Sequence, residues 1–467
     1  MGIPEYVYLH SAITLLTQNR LRPVIEACEE IVPLAKLAQD CNDEHDRPFK
    51  IAIDVADWVF HNVSPSKRYS SNRVIPRNES LIQSLTMIRS AEESAANPVE
   101  KGIFFRVLKL LTLNIWPMFV FDGPNVPAKR TGTEGRKISP NARALLKEAL
   151  DRLYISWIEA PGEAEAECCR LQILELVDAV WSQDSDCLMF GCALWIRELR
   201  TARDIGNSSC HIGDTQKDHT RVIVVRAEKL KMEQFQLNRE GCVLFAMLVG
   251  GDYDRQGLRG CGTVNALKLV KASLDRSLCS LEDQKACNAW RDNVLPRFLK
   301  SQKINLVPQK DFPKFNTLQK YNNPVTHSDT ELRKHARDNS NHDKSPVEAD
   351  LLAVACVRFN FWSKKYYDHI GPVLLSRALA ARSKSLPREV IHDSKLIKGR
   401  TKATVDEHGS EIPVRKLTFP PMGVSSLTKA EFERRESTRA WKTDTTFYPD
   451  QRVLVKYQRS CFKTYYH

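Results

Sequence analysis

Short apolar runs alternate with longer amphipathic stretches through the first half of this 467-residue chain. Phe49-Lys50-Ile51-Ala52-Ile53-Asp54 and Trp116 to Asp122 are apolar runs that end in an acid, and Val177 to Ser182 is another run with acids just beyond it. Bounded runs of this length, rich in β-branched and aromatic residues, predict buried strands. Between them, Asn97 to Leu113, Asn141 to Leu153 and Gly162 to Leu176 carry helical spacing. The alternation predicts an α/β fold with a parallel sheet flanked by helices. Ligands of such sheets bind beyond the carboxyl ends of the strands. Acids scattered along the sequence would therefore gather in space.

Further along, residues 257–271 read as a glycine-rich turn, with Gly257, Gly260 and Gly262, feeding a helix that starts near Thr263 and carries Lys268. Backbone N–H groups at a helix start can hold a phosphate, and glycine lets a nucleic-acid backbone come close. Residues 302–347 are polar and predict a linker or long surface loop. Val347 to Ser383 is helical and rich in aromatics, and from about 385 the texture shifts to short strand-like segments, Arg415–Phe419 and Arg452–Tyr457, around a charged helix-like stretch from Thr428 to Lys442. The organisation that follows is a core at 1–250, a helical extension at 251–384 and a small separate β-rich module at 385–467.

Composition narrows the class. The 42% hydrophobic and 27% charged content is that of an ordinary globular protein. No apolar run approaches the ~18–20 residues of a membrane span, so no membrane partner is expected. A secretory signal layout is absent from the N-terminus, and the 13 cysteines contain no Cys-x-x-Cys pair. Neither a zinc site nor a disulfide scaffold is expected, and Cys168-Cys169 read as buried thiols. The net charge of +12 is uneven: residues 351–467 hold 22 Lys and Arg against 11 Asp and Glu, and residues 1–350 hold 47 against 46. A basic C-terminal region fits a polyanion gripped away from the chemistry.

Seven acids occupy the strand ends and helix starts: Asp54, Asp122, Glu163, Glu165, Asp184, Asp186 and Asp252. Gathered in one crevice they would repel each other and resist ionisation. Mg²⁺ relieves that repulsion, since it accepts a few carboxylates plus substrate phosphates and keeps several waters. Two such ions can clamp the attacking and leaving oxygens of a phosphodiester. The residues alone thus predict a metal-dependent nuclease.

These segments, in this order, resemble the flap-endonuclease and xeroderma-pigmentosum-G nuclease family. The resemblance runs through Met1-Gly2-Ile3, Ile51–Asp54, Phe119–Pro124, Ala160–Glu167, Asp184–Gly191 and Gly250–Lys271, and covers most of residues 45–275. Each piece alone is common, whereas the ordered set is specific. Ile31–Ala38, Ala95–Lys101 and the C-terminal module resemble the fungal Holliday-junction-resolvase branch, whose module is chromodomain-like. The resemblance implies a PIN-like core, a helix–two-turn–helix extension and hydrolysis of DNA phosphodiesters. It implies that the seven acids bind two Mg²⁺ ions, with Mn²⁺ as a substitute. Lys129 and Arg136 would position or polarise the scissile phosphate, and Gly2 would lie near the active site. Gly257, Arg259, Gly260, Gly262, Thr263 and Lys268 would grip duplex DNA, with K⁺ at backbone carbonyls of the turn. The implied partners are branched DNA (four-way junctions, 5′ flaps, forks) and a second copy of the chain on Holliday junctions, in the nucleus.

One pairing is not settled by spacing. On a helix Glu163 and Glu167 share a face, while Glu163 and Glu165 do not. The resemblance selects Glu163 and Glu165 and leaves Glu167 as a solvated surface acid. The chain also departs from the family pattern after Met1-Gly2-Ile3, in a stretch spanning about 4–30, and in an insertion near Ser66 to Thr86 that is expected to be poorly ordered and dispensable. A catalytically dead DNA-binding relative, an RNA-directed nuclease and a junction adaptor are the rival readings. Retention of all seven acids counts against the first of these.

Overall fold

A computed structural model of the chain describes residues 21–56, 58, 98–127, 138, 140–199, 221–232, 235–339, 346–359, 361, 364–380, 392–397, 414–437 and 453–458. Gly2, Lys129, Arg136 and the Ser66–Thr86 insertion lie outside the described residues. The elements of the core are β1 (Glu29–Pro33), α1 (Leu34–His45), β2 (Phe49–Asp54), α2 (Pro98–Thr112), β3 (Ile115–Phe121), α3 (Pro140–Arg152), β4 (Trp157–Glu159), α4 (Ala164–Ile173), β5 (Ala179–Trp181), β6 (Leu194–Glu198) and β7 (Arg221–Arg226). The sheet order is β1-β7-β6-β5-β2-β3-β4. The run from β6 through β5, β2 and β3 to β4 is parallel, as the alternating pattern predicts. Two flanking strands make the sheet mixed: β7 runs antiparallel to β6, and β1 antiparallel to β7.

Every residue of β3 is buried, which requires cover on both faces of the sheet. Side chains alternate between faces, and the core splits accordingly. Ala52, Val120, Val180 and Trp195 join one apolar layer with α4 and the helices beyond it, while Ile51, Ile53, Phe119 and Trp181 join the other with α1, α2 and α3. The three central strands, β5, β2 and β3, end side by side, with Ile53 opposite Trp181 and Asp54 opposite Val120.

The extension follows as α5 (Arg239–Val249), α6 (Thr263–Lys271), α7 (Gln284–Asn293), α8 (Phe315–Asn322) and α9 (Asp329–Asp338). The last two correct the expected linker at 302–347. Phe312, Leu318, Tyr321 and Leu332 are buried there. Leu318 and Tyr321 sit three residues apart on one face of α8, and Ser328 with Glu331 closes a capping box at the start of α9. Few apolar positions suffice when each is fully used and the polar ones face water.

The C-terminal part comprises α10 (Glu348–Phe359), α11 (Lys364–Ala380), β8 (His392–Ile397), β9 (Val414–Phe419), α12 (Lys429–Ser437) and β10 (Val453–Gln458). β9 is the central strand of an antiparallel three-stranded sheet. The module is not separate from the core in its packing. Leu427 and Phe432 belong to the same apolar cluster as α10 and α11, and Phe432 stacks on Tyr367 at 5.0 Å. Glu348 accepts hydrogen bonds from the Ser425 and Ser426 hydroxyls at 2.6 and 2.9 Å and from the Ser426 backbone.

Candidate active site

Asp54 is the last residue of β2 and only 3% exposed. Its Oδ1 accepts the Ala56 N–H at 2.9 Å and its Oδ2 lies 3.5 Å from the Ser182 hydroxyl. Ser182 follows β5, is fully buried, and its hydroxyl oxygen accepts the Asp184 N–H at 3.1 Å. Asp184 in turn caps the one-turn helix Ser185–Leu188 by accepting the Asp186 N–H at 3.0 Å. A single hydroxyl thus ties the acid at the end of one strand to the pair beyond the next. The Trp195 indole donates to the Ser182 carbonyl at 2.8 Å and fixes that corner.

Asp122 stands just past β3. Its Oδ1 accepts the Ala164 N–H at 2.9 Å, at the first turn of α4, where a carboxylate is favoured by the helix dipole. The Arg143 guanidinium donates to the Asp122 carbonyl at 2.6 Å. Gly123 donates to the Gly162 carbonyl at 2.9 Å, and a methyl added at Gly123 would fall 1.8 Å from the Ala160 oxygen. Only glycine allows that approach. The loop after β3 and the start of α4 are therefore knitted together, which brings Asp122 beside Glu163 and Glu165.

Glu163 is the N-cap residue of α4, 4% exposed, and accepts a short hydrogen bond from the Tyr253 hydroxyl. Tyr253 adjoins Asp252, so the acid that follows α5 is tied to the same crevice. Asp184, Asp186 and Asp252 line one small pocket with Gly250 and Gly251. Beneath the acids lie two buried thiols. Burial pushes the Cys168 thiol far above its ordinary range, and Asp54 and Glu165 add to that. A hydrogen bond with Cys169 pulls the Cys187 thiol down, but burial, helped by Glu165 and Asp184, carries it up to about 12.

Glu167 corrects the sequence reading. It is fully buried, not solvated, and its carboxylate binds His327 twice, at 2.6 Å to Nδ1 and 3.1 Å to the backbone N–H. Three positions past the helix start, the face shared with Glu163 points at the extension rather than at water. Arg170, one turn on, pairs with Asp329. Helix α4 is thus clamped from behind by the segment leading into α9. Sequence reading also missed Ser182, Tyr253, Arg143 and His327, whose roles appear only once distant segments meet.

Among the described residues no three of these side chains converge tightly enough to hold one ion unaided. The donor set still fits Mg²⁺, which takes hard oxygens and fills its shell with water and phosphate. The carboxylates of Asp54, Asp122, Glu163 and Asp184 are each oriented by backbone or hydroxyl groups.

At the glycine turn, Gly257 has φ +53° and Gly260 φ +77°. A methyl at Gly257 would meet the Leu248 carbonyl at 2.5 Å, whereas one at Gly262, the N-cap of α6, would meet nothing within 4 Å. Gln309 braces the turn by accepting the Arg259 N–H at 3.1 Å and donating to the Gly257 carbonyl. Arg259, Gly260, Gly262 and Lys268 are exposed and Thr263 is half-buried, which leaves the start of α6 open to an approaching phosphate.

Comparison with known proteins locates an XPG N-terminal domain at residues 50–142 and an XPG I-region at residues 154–252. Flap endonuclease 1 of Sulfolobus acidocaldarius is 28% identical over 203 residues, which cover 36% of this chain and 56% of that protein. Holliday junction resolvase YEN1 of Saccharomyces cerevisiae is 26% identical over 300 residues, covering 54% of this chain and 39% of that protein. The chain thus matches about half the length, or less, of these two curated relatives. Among solved structures, the eukaryotic junction-resolving enzyme GEN-1 with potassium superposes with a TM-score of 0.67 at 25% identity, over 93% of this chain and 94% of that one. The Holliday junction-resolving enzyme GEN1 in complex with product DNA and Mg²⁺ gives 0.66 at 25% identity, over 93% of both chains. A GEN1 complex with product DNA, Mg²⁺ and Mn²⁺ gives 0.65.

Proposed function

We propose that this chain, which matches both the XPG N-terminal domain and the XPG I-region, is a nuclease of that family and a structure-selective endonuclease of branched DNA. The observation that carries the reading is the acid crevice at the carboxyl ends of β5, β2 and β3, tied by Ser182 on one side and by the Asp122–Ala164 contact on the other. Four-way junctions are the favoured substrate. The Holliday junction resolvase of Saccharomyces cerevisiae aligns with 54% of the chain, whereas the flap endonuclease of Sulfolobus acidocaldarius aligns with 36% of it. A 5′ flap is the second reading, supported by those flap-endonuclease matches.

Asp54, Asp122, Glu163, Glu165, Asp184, Asp186 and Asp252 would hold two Mg²⁺ ions, or Mn²⁺ in their place. When bound, the ions supply positive charge to the attacking and leaving oxygens of the phosphodiester. Ser182, the Ala56 N–H and the Ala164 N–H hold the carboxylates of Asp54 and Asp122 in place, and Tyr253 does the same for Glu163. Lys129 and Arg136 would stabilise charge growing on the scissile phosphate, and Gly2 would lie near the active site. The turn at Gly257–Gly262, with Arg259, Thr263 and Lys268, would grip a duplex arm, and its carbonyls would take K⁺. A pair of chains on one junction, acting in the nucleus, completes the proposal.

The test is a cleavage assay on four-way junctions, 5′ flaps, forks and linear duplex in Mg²⁺, with EDTA as control. Junctions incised symmetrically and in preference to flaps support the reading. Equal cutting of linear duplex, or cutting that persists in EDTA, overturns it.

A further inference from the structure

A second cavity, of about 130 Å³, opens beside the acid crevice and is lined by Pro127, Glu163, Gln319, Lys320, Asn323 and Val325, with Pro324. Glu163 and Pro127 come from the core, and the others from α8 and the segment after it, so the cavity lies on the seam between core and extension. The Lys320 ammonium lies 5.0 Å above the ring of Tyr253, the tyrosine whose hydroxyl donates to Glu163. Lys314, at the start of the same helix, is taken by Asp254 at 2.9 Å. Among the described residues Lys320 forms no ion pair, and the carboxylate that shares its cavity, Glu163, is held by the Tyr253 hydroxyl. Asn323 donates to the Gln319 amide oxygen at 2.7 Å, which leaves the Gln319 amide nitrogen as a further donor at the wall.

A lysine whose stem lies along a tyrosine is ordinary surface packing. What sets Lys320 apart is its place. The neighbouring crevice is lined by acids that repel a polyanion, and a strand threading past Glu163 needs positive charge on the far wall. We propose that Lys320, with the Gln319 amide, forms a phosphate subsite that takes a phosphodiester of the incised strand adjacent to the scissile one. The contact reads backbone charge and carries no sequence preference. This rests on the DNA-cleaving reading of the crevice given above.

The test compares the full chain with Lys320→Gln, which removes the charge at similar length, and Lys320→Arg, which keeps it. Binding to a nicked duplex and to a four-way junction is measured in Ca²⁺ at several salt concentrations. Methylphosphonate linkages are placed one at a time along the incised strand. Lys320→Gln should lower the log–log salt slope by about 0.7–0.9, and Lys320→Arg should keep it. At one linkage near the cut, the neutral phosphonate should weaken the wild type and leave Lys320→Gln unaffected. An unchanged slope in Lys320→Gln, or equal sensitivity of both proteins at every linkage, would mean that Lys320 only packs on Tyr253. A wild type with no preference for the junction over the nicked duplex would defeat the substrate assignment alone, because the Lys320 comparison is read on the nicked duplex as well.

Discussion

The groups that hold Asp54, Asp122 and Glu163 in place are modest: two backbone N–H groups, a serine and a tyrosine. Asp54→Ala or Asp184→Ala should abolish cleavage and leave junction binding in Ca²⁺ largely intact, since affinity for DNA comes mainly from phosphate contacts elsewhere. Near-normal turnover of either variant at saturating Mg²⁺ would show that the crevice is not the reaction centre. Glu167 belongs to a different class. Glu167→Ala leaves the His327 donors facing a buried gap, which costs about 1–3 kcal/mol, so the thermal midpoint should fall. An unchanged midpoint would mean that the clamp behind α4 is not tight. The seven candidate acids stood out in the sequence because each sits near where a strand or helix begins or ends. Their supports did not, because Tyr253 lies 90 residues from Glu163 and His327 lies 160 from Glu167. No local pattern encodes such pairs.

At the scale of elements, apolar runs revealed the three central parallel strands β2, β3 and β5, whereas β4 and β6 and the flanking β1 and β7 were not read, since their runs are shorter or only partly buried. The two helices within 302–347 escaped for another reason: their burial rests on a few residues such as Leu318, Tyr321 and Leu332. The glycine turn was legible, and its geometry now gives a sharper expectation. Gly260 has φ +77° and an added methyl would stand 3.0 Å from the Leu306 side chain. Gly260→Val should weaken binding to a duplex arm through the strained backbone; unchanged affinity in a variant shown to be folded would remove this turn from the DNA interface. A pH dependence belongs to the seam between α10 and the C-terminal module. Burial raises the Glu348 pKa above its ordinary carboxylate value, against the opposing pull of hydrogen bonds from Ser425 and Ser426. The folded state then holds the proton more tightly than the unfolded one. That contribution to stability is present below the unfolded pKa and is lost as pH rises through the folded one. Melting curves between about pH 4 and pH 7 should show a stability loss with rising pH that is smaller in Glu348→Gln. Equal slopes in both proteins would assign the dependence to other groups.

The whole molecule divides in charge: residues 351–467 carry 22 basic against 11 acidic residues, while every candidate metal-binding acid lies at or before Asp252. Charge asymmetry of this kind was fully visible in composition. Its structural setting was not, since the expected independence of the C-terminal module gives way to shared packing. Leu417, Phe419, Leu427 and Phe432 are all nearly inaccessible, and Phe432 covers Tyr367 on α11. Removing residues 385–467 therefore has two separable effects. It uncovers the outer faces of α10 and α11, so the thermal midpoint should fall, by contrast with the clean excision that the sequence alone suggests. It also removes basic residues, so junction binding should weaken and its log–log salt slope should become shallower by about 0.9 for each DNA phosphate that the truncated chain no longer neutralises. The two are told apart by measuring affinity well below the melting temperature of the truncated chain, at several salt concentrations, beside the full-length protein. A lower midpoint with an identical slope and affinity would make the module a structural cover and place the grip on DNA in the extension at α5–α9.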